Sequence, residues 1–270
     1  MVKKLLKYEN MSYLRVLIPI DLILLGLAVI NRLVQFFEND TTMYSILFTS
    51  SIILLIVGCV VSLVMTYAIA VIRFYKNLFT NEGYLTFTLP VTRAQLLWTK
   101  LLAALFFTLV TVVSVLLALG IASAGDMFIE IIKAGAFLLG KGAELAGRGN
   151  FIGYIVELLL LLPVSIATSY LLMYACIAFG QLSKKNRVLM AFLTYFIYMF
   201  ICQTIGTIVS ILGAVVVTLP WVENMLIWIT EHSVQMIHVG LIGGTLLDAV
   251  LGLVYYLITN VIVKKKLNLE

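Results

Sequence analysis

A chain of 270 residues that is 63% hydrophobic and 11% charged, with mean hydropathy +1.12, carries more apolar surface than a water-soluble core can hide, so hydrocarbon must be its solvent. Its net charge of +5 is too small and too scattered to argue for nucleic acid. Cys59, Cys176 and Cys202 fall inside apolar runs without C-x-x-C spacing, which reads as core or lipid-facing thiols, not metal or redox groups.

Six apolar runs reach the length of about 20 residues that crosses hydrocarbon. They cover 16–36, 46–72, 99–121, 152–179, 188–217 and 236–262, and several are long enough to tilt or to extend past the membrane. Their continuity excludes barrel strands, which alternate every second residue. The expected fold is therefore an all-α membrane protein with six transmembrane helices in one domain, 1–270. The N-terminus is basic, but no small-residue cleavage site follows a short apolar core, so no signal peptide is expected. No internal repeat is visible.

Basic residues set the orientation. Lys3, Lys4, Lys7 and Arg15 precede the first span, and Arg73, Lys76, Arg93 and Lys100 lie around the second-to-third connection. Lys184, Lys185 and Arg187 lie in the fourth-to-fifth connection, and Lys264, Lys265 and Lys266 follow the sixth span. The other side holds Arg32, Lys133, Lys141 and Arg148. This bias of 14 against 4 predicts that both termini are cytoplasmic in a multi-pass plasma-membrane protein.

The cytoplasmic segment 73–98 is patterned. Residues 73–80 continue the second span, Gly83 can supply a turn, and Pro90 breaks any helix at Leu89. Thr92-Arg93-Ala94-Gln95 fits a capping box, so the third helix is expected to start at Thr92. Between the breaks lies a short element, 81–89, that carries Tyr84, Leu85, Phe87 and Leu89. Four large apolar side chains outside the spans need a surface to meet: the lipid interface, the chain's own helices or a partner. The outer segments differ. Residues 122–151 contain an amphipathic stretch, readable as a helix at the outer leaflet or as ordered loop. Residues 218–235, with Trp221 and Trp228, favour an interfacial helix.

NEGYLTFTLPVTRAQLLWTKLLAA (81–104) resembles the cytoplasmic connection of type-2 ABC transporter permeases, especially small six-span exporters of Gram-positive bacteria. There an acidic-Gly-hydrophobic run leads through a Leu-Pro-Val step to a polar helix start and then a Lys. The matching residues are Glu82, Gly83, Tyr84, Leu85, Thr86, Leu89, Pro90, Val91, Thr92 and Lys100. FGQLSKKNR (179–187) resembles the family's second cytoplasmic connection. The resemblance implies that 81–89 is a coupling helix docking on a separate ATP-binding cassette subunit, through Asn81, Glu82, Gly83, Tyr84, Leu85, Phe87, Leu89 and Pro90. It also implies a second cytoplasmic contact at Ser183, Lys184, Lys185 and Asn186. An N-terminal elbow helix would fall within 1–15, an outer hairpin would correspond to 218–235, and a second permease copy or paralogue would pack along the first and fifth spans.

The sequence has no G-x-x-x-x-G-K-[ST], so no P-loop binds ATP in this chain; the resemblance places ATP and Mg on the partner, with no cofactor expected here. His232 and His238, six apart without H-E-x-x-H, make a poor zinc pair, and no metal site is expected. Ser165 and Ser169 lack a nearby base, and no catalytic residue is expected.

Four ionisable residues lie in or near spans. Asp21 reads as lying at the inner headgroup boundary, just after Pro19, which loosens the helix start. Arg32 and Glu157 lie near the outer boundary and can snorkel. Asp248 is deepest, in a strip with Gly240, Gly244 and Gly252 at intervals of four, which places small residues and a carboxylate on one slanted helix face. That strip reads either as close helix packing with a hydrogen-bonded Asp248, or as part of a translocation path. The expected function is the membrane-spanning permease subunit of an ATP-driven exporter of peptides, antibiotics or lipid-like compounds. The alternatives are an ion- or proton-coupled transporter using Asp248 and Glu157, and a membrane anchor or sensor with no transport cycle.

Overall fold

A computed structural model describes residues 2–37, 42–80, 83, 91–123, 126–183, 185–217 and 220–265. The described residues form eight helices and no strand: α1 Val2–Phe36, α2 Thr42–Phe79, α3 Arg93–Ala122, α4 Asp126–Ala146, α5 Arg148–Gly180, α6 Arg187–Val217, α7 Pro220–Glu231 and α8 Ser233–Lys265. Six of them, α1, α2, α3, α5, α6 and α8, are long and apolar enough to cross a membrane. Each contains one of the six apolar runs. The chain divides into two compact units, 1–141 and 142–270.

In the first unit α1, α2 and α3 form a three-helix bundle. Cross-links fix their directions. Asn31 donates to Ser51 (2.8 Å), Ser62 to Asp21 (3.1 Å) and Arg73 to Glu9, so α1 and α2 run antiparallel. Tyr13 stacks on Phe107 and Gln35 donates to the Ala122 carbonyl (2.8 Å), so α1 and α3 run parallel. Leu24, Ala28, Leu55, Ala118 and Ala122 make one buried cluster. Hydrocarbon gives helices no hydrophobic reason to associate, so close contact at small residues and interhelical hydrogen bonds must hold them together. Both are present: Ala28 and Ala118 are fully buried, and Thr66 and Thr111 share a buried hydroxyl contact of 2.8 Å. Outward positions such as Leu22, Ile23 and Leu116 are more than 60% exposed and apolar, as a lipid-facing surface requires.

The segment expected as a separate elbow is the opening of α1, which runs from Val2 to Phe36 without a break, through Pro19. Its buried stripe is continuous: Glu9, Tyr13, Leu17, Leu24, Ala28 and Asn31 recur at helical spacing. Residues 126–146 are helical, which decides between helix and loop in the first outer segment. Gly147, at φ +79°, separates α4 from α5 in a conformation that suits glycine.

In the second unit α5 and α8 run parallel and pack most extensively. Tyr154 Oη donates to the Val234 carbonyl (2.7 Å) at one level, and Thr168 Oγ1 to the Asp248 carbonyl (2.8 Å) at another. α5 ends in a turn at 181–182, and the antiparallel α6 begins after Asn186, at φ 56°, a left-handed position that asparagine tolerates. A Cβ at Gly180 would lie 2.6 Å from the Arg187 carbonyl oxygen and 2.8 Å from the Ala191 side chain, so α5 and α6 meet there only because Gly180 has none. Tyr198 on α6 and Tyr255 on α8 share a hydroxyl contact of 2.5 Å. α7 turns through His232, whose ring stacks on Trp228, into α8.

Candidate functional site

The patterned segment between α2 and α3 has a built foundation on both sides. On the α2 side Phe74 and Leu78 are fully buried, and Thr80 Oγ1 donates to the Lys76 carbonyl (2.5 Å), closing the last turn. The Gly83 amide donates to the Thr80 carbonyl (2.7 Å). A Cβ on Gly83 would stand 2.6 Å from the Leu78 carbonyl oxygen, so the backbone approaches here as only glycine allows. On the α3 side the capping box is complete: Gln95 N–H donates to Thr92 Oγ1 (3.3 Å), and Thr92 N–H donates to Gln95 Oε1 (3.1 Å). Leu96 and Leu97 are buried one turn later. Of the residues expected to dock on a partner, Gly83 is described; Asn81, Glu82, Tyr84, Leu85, Phe87, Leu89 and Pro90 lie outside the described residues.

The two helices that flank this segment share a buried ion cluster. The Glu9 carboxylate, on α1, is bonded by Arg73 through Nη2 (2.8 Å) and Nε (3.2 Å), by Asn77 Nδ2 (3.1 Å) and by the Lys100 ammonium. Glu9 is 5% exposed and Lys100 3%. A charge removed from water needs a partner and further hydrogen bonds, and this carboxylate receives donors at both oxygens. One turn on, Tyr13 stacks on Phe107 at 4.9 Å, nearly coplanar, while the Arg73 guanidinium lies 5.3 Å from the Tyr13 ring centre.

Sequence reasoning missed this cluster. The sequence offers Arg73 as a charge that orients the chain and Lys100 as such a charge and as a residue of the family motif, and it singles out nothing at Glu9. The usable signal was the helical spacing of Glu9 and Tyr13 with the apolar face of the first span.

The other sequence candidates are placed as follows. In the second connection Ser183 Oγ donates to the Lys185 carbonyl (2.7 Å), Asn186 holds the left-handed position, and Lys184 lies outside the described residues. Asp21 is brought to α2 by Ser62. The strip on α8 is graded. Gly252 is buried, and a Cβ there would meet Thr168 Oγ1 at 2.8 Å; at Gly244 it would touch Leu161 at 3.9 Å; at Gly240 it would meet open space. Asp248 lies in the half that packs on α5 and takes the Thr168 hydroxyl through its backbone carbonyl.

The sequence offers Glu157 as a residue that can snorkel and His238 as half of a poor zinc pair, yet α5 and α8 pair them with each other: His238 Nδ1 lies 2.7 Å from Glu157 Oε1. The imidazole occupies a notch where Gly153 lacks a Cβ, with the Tyr154 ring 4.3 Å away. Glu157 Oε2 is buried without a hydrogen-bond partner among the described residues.

Compared with family models, curated proteins and solved structures, the chain matches none.

Proposed function

We propose that this chain is the membrane-spanning permease subunit of an ATP-driven exporter, working as a permease pair with a separate ATP-binding cassette ATPase. One observation carries the proposal: the way the two helix ends that flank the 81–90 segment are built. A plain connector between two membrane helices needs a few polar residues. This one has a hydrogen bond from Gly83 to Thr80, a capping box at Thr92 and, on its flanking helices, a buried ion cluster, while its sequence holds Tyr84, Leu85, Phe87 and Leu89. Tied flanks on an apolar segment suit a handle that a soluble motor grips and moves. In this proposal both termini and both basic connections are cytoplasmic, and 81–89 forms the coupling helix. ATP and Mg bind the partner, whose closure moves α2 and α3. The cargo is a peptide, antibiotic or lipid-like compound.

The test replaces Tyr84 and Leu85 with Asp. Membrane insertion is expected to persist, because both side chains lie outside the apolar runs. Affinity for the ATPase is expected to fall by about 2 kcal/mol or more, as when apolar interface anchors are lost. Unchanged affinity with lost expression would reassign the segment to internal packing.

A second reading, ion- or proton-coupled transport, draws on the Glu157–His238 pair and on Asp248 within the same α5–α8 contact. Transport that persists without any ATPase and collapses with the proton gradient would favour it.

A further inference from the structure

We infer that Glu9 is a positioning residue that clamps the start of α1 to both flanks of the 80–92 connection, so that movement delivered to the connection is passed into α1; this rests on the permease proposal. Arg73 and Asn77 stand one turn apart in the last part of α2, just before the connection, and Lys100 stands two turns into α3, just after it. All three donate to the one Glu9 carboxylate. At 5% exposure that carboxylate is out of reach of solvent able to replace a lost donor. The flanks of the connection therefore share a single anion, and it belongs to a third helix.

The contact is two layers deep. Tyr13, one turn along α1, lies between Phe107 of α3 and the Arg73 guanidinium of α2. Rotation or tilt of α2 or α3 thus meets α1 at two successive levels. From there α1 continues unbroken to Phe36, about 35 Å at 1.5 Å per residue. Near its far end Asn31 is tied to Ser51 of α2 and Gln35 to the Ala122 carbonyl of α3. A helix fixed at both ends to the same two neighbours carries displacement along its length rather than absorbing it.

The test uses the full chain in lipid nanodiscs. Glu9→Gln removes the charge at constant shape, and Glu9→Gln/Lys100→Met also removes one of the cations that lose their anion. Backbone hydrogen exchange at 74–80 and 93–99 is expected to accelerate at least about tenfold in Glu9→Gln. The double variant is expected to regain most of the lost unfolding midpoint, because the only cation left without its anion is Arg73, whose side chain is 22% exposed. Chain purified from its native membranes with the ATPase it retains gives the functional readout. Stimulation of that ATPase by the chain is expected to drop about tenfold in both variants, even though the double variant is stable. Wild-type exchange rates in Glu9→Gln overturn the clamp. So does full stimulation in the stable double variant, which would make the cluster a matter of stability alone. A wild-type chain that retains no ATPase overturns the permease proposal instead, and the exchange rates then decide the clamp.

Discussion

Single residues in the second unit differ in what they tolerate, and the difference lies in what stands opposite. Gly252 faces the Thr168 hydroxyl at a distance no Cβ can share, whereas Gly240 faces open space. Gly252→Ala must push Thr168 away from the Asp248 carbonyl it bonds, and is expected to cost on the order of 1–3 kcal/mol. Gly240→Ala is expected to be neutral or slightly stabilising, since alanine suits a helix better. Thermal unfolding of the two variants in the same lipid would separate them, and equal midpoints would contradict the packing seen here. His238 carries a related expectation. His238→Leu leaves Glu157 without its observed hydrogen-bond partner, at a cost on the order of 1–2 kcal/mol, while Glu157→Leu/His238→Leu is expected to recover most of it. Unfolding midpoints measured around that double-mutant cycle would check it. The glycine spacing on α8 was legible in the sequence because it follows helical geometry alone. Which members of the strip touch a neighbour was not, because that depends on where α5 crosses.

At the scale of elements, local chemistry was readable wherever it closes within a few residues. The capping box at Thr92 is of this kind: its two hydrogen bonds span three positions, and both are present. Thr92→Ala is expected to cost about 1 kcal/mol and to fray the first turn of α3. Hydrogen exchange at 93–97 would show this, with Gln95→Ala giving a smaller effect of the same kind. The opening of α1 behaves differently. The resemblance implies a surface elbow within 1–15, where the composition is basic and amphipathic, yet Glu9 and Tyr13 are buried in the bundle. Composition describes how a segment would sit in water or at an interface. It does not register that a carboxylate becomes comfortable in a core once Arg73 and Lys100 arrive from residues 64 and 91 positions away.

Over the whole molecule, six helices long and apolar enough to span a membrane are arranged in two units, with the first and third spans of each running parallel. Orientation rests on the distribution of Lys and Arg. Single cysteines at Asn81 and Gly140, in a background lacking Cys59, Cys176 and Cys202, are expected to react with an impermeant thiol reagent from opposite sides of the membrane. Gly140 suits this purpose because a side chain there meets open space, whereas one at Gly142 would press on Phe151. Labelling of both positions from outside would overturn the topology and, with it, the place of the 81–90 segment.

The sequence by itself determined the number of helices long and apolar enough to cross a membrane, the absence of strands among the described residues and the start of α3. Each follows from the local density of apolar side chains or from hydrogen bonds closed within one turn. Tertiary structure alone decided that Glu9 joins Arg73, Asn77 and Lys100, that His238 meets Glu157, and that Gly252 rather than Gly240 is the tight point of the α8 strip. In hydrocarbon an apolar side chain gains little by choosing one neighbour over another, so periodicity marks a face without naming what covers it. Register is set by the few polar groups that must find partners. Those pairings join positions far apart in the chain, and they exist only once the helices have come together.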